Sequence, residues 1–112
     1  MSKGSSGLSE QSYFVLAALL HGPLHGHAII KKVVGLSEGR ITLPVGTLYG
    51  ALDRLAANGV IMIEREEIVN GRKRRYFRIT EEGDRLVRAE AQRMQQAAIV
   101  VMGRPRLGAT FA

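Results

Sequence analysis

The chain has 112 residues, a net charge of +6 and a hydrophobic fraction of 46%, enough for one core and too short for two. It contains no cysteine, which excludes disulfides, thiolate metal sites and cysteine nucleophiles and fits a reducing cytoplasm. No apolar run approaches the ~20 residues of a bilayer-spanning helix, so the basic surplus is left to attract a polyanion, with nucleic acid and an anionic membrane surface as the two candidates that charge alone does not separate.

Residues 1–8 open with Gly/Ser-rich sequence and are set aside as a flexible tail carrying no secretory signal. A first helix is predicted from about Ser9 to Leu20, with Ser9 as N-cap and Glu10 placed to complement the dipole. Its residues Tyr13, Leu16, Ala17 and Leu20 fall at helical spacing, with Phe14, Val15 and Leu19 widening the apolar face. Gly22-Pro23 ends it. A second helix is predicted over Gly26 to Val34, with Ile29, Ile30, Val33 and Val34 inward and Lys31 and Lys32 outward, broken by Gly35 and Gly39. The stretch Arg40 to Leu43 is short enough to serve only as an added strand. A third helix begins near Pro44, whose missing N–H is not needed in a first turn. Val45, Leu48, Leu52, Leu55 and Ala56 make its core stripe, and Thr47, Gly50, Asp53, Arg54 and Ala57 its opposite face, up to the stop at Asn58-Gly59.

A hairpin follows: Val60 to Val69, a tight turn at Asn70-Gly71, and a return over Arg72 to Thr80. Centring that turn sets Met62 opposite Ile79, Glu64 opposite Phe77, Glu66 opposite Arg75 and Glu67 opposite Arg74, the last two favourable charge pairs. Apolar residues then lie at the base and charges at the tip. Thr80 caps a long helix running to about Met102, whose Val87, Ala91, Met94, Ala98 and Val101 form a narrow heptad-like seam. A helix projecting past so small a globule has little of its own to cover that seam, so it is read as a dimer surface. Residues 9–80 thus form one domain, 81–102 a dimerisation helix, and 103–112 a frayed tail.

The order of helix, helix, helix, hairpin and long helix makes a mainly α fold with a small β-hairpin, the winged helix-turn-helix. Its third helix can enter a major groove and its hairpin can lie on the neighbouring phosphates. Arg72, Lys73, Arg74 and Arg75 are consecutive at the tip; with Arg74 and Arg75 facing Glu67 and Glu66, Arg72 and Lys73 are the freer cations. Lys32 is a further phosphate candidate against a solvated charge, as is Arg54. His21, His25 and His27 fall within seven residues, but no carboxylate or thiolate completes a ligand set, so no metal and no other cofactor is assigned. No catalytic grouping stands out.

The segment Leu43 to Leu55, LPVGTLYGALDRL, resembles the recognition-helix segment of the PadR family of bacterial transcriptional regulators. So do Val15 to His27, Asn58 to Ile61, and Gly71 to Gly83, in the same order. The resemblance spans roughly residues 12 to 90. It implies a cytoplasmic, nucleoid-associated homodimeric repressor that binds a dyad-symmetric operator in double-stranded DNA and is released by a small effector. It also implies DNA contacts from Thr47, Tyr49 and Gly50, and an interface between the terminal helices that adds Tyr13, Leu16 and Leu20 to the seam. Two positions depart from the family: Pro44 stands two residues before Gly46 rather than next to it, and His27 stands where Tyr is common. Against this reading stand a winged-helix module for protein–protein contact and, further off, a histidine-based metal protein.

Overall fold

Side-chain caps and left-handed residues fix the helix ends in the computed structural model, which describes residues 8–108. Of the tails predicted over 1–8 and 103–112, residues 1–7 and 109–112 lie outside the described residues. Leu8, assigned to the flexible tail, instead packs against the core. Helix α1 (Glu10–Ala18) starts where the Ser12 backbone N–H donates to Ser9 Oγ at 3.0 Å. It gives way two residues before the predicted end to a 3-10 turn, Leu19–His21, closed by Gly22 at φ 141°. Helix α2 (Gly26–Leu36) runs through Gly35 rather than stopping there; one interior glycine costs a helix only about 1 kcal/mol. The stop comes at Glu38 and Gly39, both at positive φ.

No strand forms at Arg40 to Leu43. That segment is irregular, tied down where the Ile41 N–H donates to Ser37 Oγ at 3.0 Å, and Leu43 is buried. The short strand is β1 (Leu24–His25), which occupies the edge of the hairpin that the predicted one would have used. Helix α3 (Val45–Ala57) buries Leu48, Ala51, Leu52 and Leu55. Val45, expected in the core, is 50% exposed and Ala56 is exposed as well. The stripe is the set spaced by three and four that begins one turn later, leaving the first turn outside.

Strands β2 (Ile61–Val69) and β3 (Arg72–Ile79) form the hairpin, and the sheet order is β1-β3-β2. At the tip the expected register is found, with Glu66 opposite Arg75 and Glu67 opposite Arg74. At the base it is not. An irregularity between Ile63 and Arg65 sets Ile63 opposite Phe77, Met62 opposite Arg78 and Ile61 opposite Ile79. The extra residue, Glu64, exchanges the two faces of the strand, so that Ile61 rather than Met62 enters the core.

That core joins Leu16, Leu19, Ile29, Val33, Leu48, Leu52, Ile61, Phe77 and Val87. Helix α4 (Glu81–Met102) is capped by Thr80, whose Oγ1 accepts from the Gly83 N–H at 3.1 Å and donates to the Gly59 carbonyl at 2.7 Å. A side chain at Gly83 would collide with the Val60 carbonyl, so glycine lets α4 sit directly on the base of the hairpin. Beyond Ala91 the helix leaves the globule, and the molecule reaches 67 Å in its longest dimension. Three helices, a hairpin wing and a projecting fourth helix make the winged-helix arrangement that the sequence led one to expect.

Candidate nucleic-acid interface

Helix α3 turns Thr47, Asp53 and Arg54 to solvent, with Gly50 half-buried among them. Tyr49 is 39% exposed, and its ring lies over the start of α2. A Cβ at Gly26 would overlap the Tyr49 hydroxyl, so the absent side chain there is what admits the phenol. Between this tyrosine, the start of α2 and the wing lies a cleft of about 390 Å³, lined by His25, Gly26, His27, Tyr49, Val69, Asn70 and the four consecutive cations Arg72 to Arg75. Tyr49 and the wing cations, chosen from sequence, therefore converge on one concavity. Thr47, Gly50, Arg54 and Lys32 do not line it.

Of the two ion pairs expected across the tip, Glu66 with Arg75 forms and Glu67 with Arg74 does not. Glu66 receives Arg75 at 3.0 Å and also Lys73 at 3.6 Å. Glu67 is taken by Arg65 at 3.0 Å, not by Arg74, and its carboxyl is held below the usual range chiefly by that hydrogen bond. Arg65 lies along its own strand from Glu67 and is anchored by its guanidinium, 3.9 Å over the centre of the Tyr76 ring. Among the described residues, Arg72 and Arg74 are thus the wing cations without an ion pair, where Arg72 and Lys73 had been expected. Sequence reasoning weighs His25 only as a metal ligand, whereas it packs edge-on against Tyr76 with ring centroids 5.5 Å apart. Only its place on β1, unpredicted, brings it there.

The residues chosen for an interface between copies divide in two. Leu16 and Val87 are 0% and 3% exposed within the single chain, so neither has surface to offer, and both leave the set. Tyr13, Leu20 and Ala91 are half-buried, while Met94, Ala98 and Val101 are exposed. Ile99, Val100 and Met102 extend the apolar surface around the end of α4. A groove of about 400 Å³ between the α1 start and α4 is lined by Tyr13, Phe14, Glu90 and Met94 together with Leu8, Ser9 and the Glu10–Arg40 ion pair. No helix among the described residues is long and apolar enough to cross a membrane.

A family model described as the transcriptional regulator PadR-like family matches residues 15–89. An uncharacterized 37.1 kDa protein in transposon TN4556 of Streptomyces fradiae is 40% identical over 86 residues, which is 77% of this chain and 23% of that protein. The chain therefore spans about a quarter of that relative's length. Among solved structures, a transcriptional regulator from Clostridium thermocellum aligns with TM-score 0.70 at 25% identity, covering 82% of this chain and 89% of that one. A PadR family transcriptional regulator from Eggerthella lenta aligns with TM-score 0.64 at 27% identity, covering 83% and 78%. Bacillus subtilis PadR, solved in complex with operator DNA, shares the fold with TM-score 0.66 at 19% identity, covering 74% and 48%.

Proposed function

The chain belongs to the PadR-like family of transcriptional regulators, and from that premise we propose that it is a sequence-specific repressor that binds a palindromic operator as a homodimer. Family membership makes it a regulator rather than an enzyme. The observation that carries the DNA reading is the cleft in which Tyr49 of α3 meets the wing cations, two of them without an ion pair among the described residues. A major groove is about 12 Å wide and admits one helix. With α3 in it, Thr47 and Gly50 face base edges, Tyr49 and Arg54 reach phosphates, and Arg72 to Arg75 lie along the flanking backbone with Lys32 outside them. That B. subtilis PadR, of the same fold, was solved with operator DNA supports the DNA reading.

The dimer follows from the bare end of α4. Val101 and Met102 are 70% and 80% exposed, and an apolar end of this kind is stabilised by burial against a second copy. Met94, Ala98 and Val101 with Tyr13, Leu20 and Ala91 form the contact, and the two α3 helices are presented together to successive grooves. A small effector that loosens the contact would release the DNA, and the site of action would be the bacterial nucleoid.

Selection of bound duplexes from a random pool tests the proposal. The expected product is a palindrome with half-sites about one helical turn, 10 bp, apart, whose affinity falls steeply with salt. Failure to retain any duplex at low salt overturns it.

A further inference from the structure

Two imidazoles line the cleft that the DNA contacts above leave unused. His27 is exposed in the first turn of α2, and His25 is half-buried against Tyr76. Both face the same space as Tyr49, Arg72 and Arg74. The groups around His25 are Arg74 and Tyr76 from β3, Glu67 from β2 and His27 from α2, with Tyr49 of α3 also lining the cleft. Burial first, and then the positive charge of Arg74 and His27, hold the His25 imidazole below the usual histidine range, with Glu67 as the opposing influence. Glu67 is already bonded to Arg65. In the free protein the surroundings of this imidazole therefore disfavour its charged form.

We propose that His25 and His27 are phosphate contacts of this cleft, and that duplex binding takes up a proton at His25. The inference rests on the DNA reading and adds to it two residues and a dependence on pH. A DNA phosphate placed between Arg72, Arg74 and the imidazoles reverses the local field. It screens the guanidinium of Arg74 and gives an imidazolium N–H a charged acceptor. The bound state then holds more protons than the free state, so by linkage the binding constant rises as pH falls through the interval between the two titrations.

The test measures duplex affinity of the full chain at constant ionic strength from about pH 8 to about pH 6, for the native protein, H27Q, the H25Q/H27Q double variant and R72A. The native affinity is expected to rise about tenfold over that interval. H27Q should weaken binding and keep most of the rise, and the double variant should lose nearly all of it, while R72A binds more weakly at every pH and keeps the rise. His25 packs on the sheet and H25Q could perturb the wing, so the imidazole C–H resonances of the native protein are followed as well. They should titrate at higher pH with duplex present than without. A flat native profile with intact binding, a double variant as steep as the native protein, or imidazole titrations unmoved by duplex overturns the inference alone. Absence of binding at every pH overturns the DNA reading and the inference with it.

Discussion

The two ends of the β2–β3 hairpin share one ladder and answer to different forces. At the base, Glu64 is bulged out and the register is reset, so that Ile61 is 2% exposed and Met62 43%. At the tip the register follows the turn, and every charged side chain stays in water. The magnitudes explain which force governs where. Burying one large aliphatic side chain contributes about 1.5–3 kcal/mol, whereas an exposed ion pair contributes about 0–1 kcal/mol. A register can therefore slip to bury Ile61, and the Arg78–Glu64 pair at 3.3 Å simply takes the geometry that results. The base is held by packing, and the tip carries charges that packing does not fix.

The sharpest way to break that contrast is at Phe77, buried at the base. Phe77→Ala is expected to cost about 3–5 kcal/mol of stability, read by chemical denaturation, with the loss confined to folding. A cost below about 1 kcal/mol would mean that the base is not packed as described. The double change R72A/R74A should do the opposite at the tip. Stability should stay within about 0.5 kcal/mol of the native value, while the slope of log affinity for duplex against log salt falls by about 2. Loss of stability without a change in that slope would place the two arginines in the fold rather than on DNA.

The same contrast separates what the amino-acid order discloses from what it does not. Asn70-Gly71 is legible because both residues accept positive φ, 52° and 78° here, and the turn they make dictates the pairs beside it. Ser9 and Thr80 are legible as caps for the same local reason. The bulge is not, because nothing in Ile63-Glu64-Arg65 demands it. It is set by whether Ile61 or Met62 is the side chain that the rest of the core buries. Strand β1 has two residues and exists only because β3 offers an edge. A heptad seam shows which side of a helix is apolar but not where the helix leaves the globule, so Val87 was grouped with Met94 although the first lies in the core. Of the two charge pairs read across the tip, Glu66 with Arg75 forms and Glu67 with Arg74 does not, because long side chains reach along a strand as easily as across it, as Arg65 does to Glu67.

Deletion of Glu64 asks whether the bulge is needed or merely tolerated. Removing that residue leaves Ile63 opposite Phe77 and Arg65 opposite Tyr76 in an unbroken ladder, with every side chain beyond it on its present face. The expected cost is at most about 1 kcal/mol, chiefly the exposed pair with Arg78. In the unbulged register the same deletion would slide the base by one residue and turn Ile61 and Ile63 from one face to the other, with a loss of several kcal/mol. Thermal unfolding of the deletion variant decides between these two outcomes.

The smallest effect belongs to Glu66, which holds Arg75 and Lys73 together at the tip. All three side chains are substantially exposed, so Glu66→Gln should change stability by less than about 0.5 kcal/mol. Its consequence falls on the ligand. The carboxylate competes with a phosphate for both cations, and removing it frees them and deletes a charge that repels DNA. Duplex affinity should rise by roughly threefold at low salt, about 0.6 kcal/mol, and the gain should fade as salt screens the site. A drop in affinity would show instead that Glu66 holds Arg75 in the pose that DNA requires, making the acid part of the contact surface rather than a brake on it.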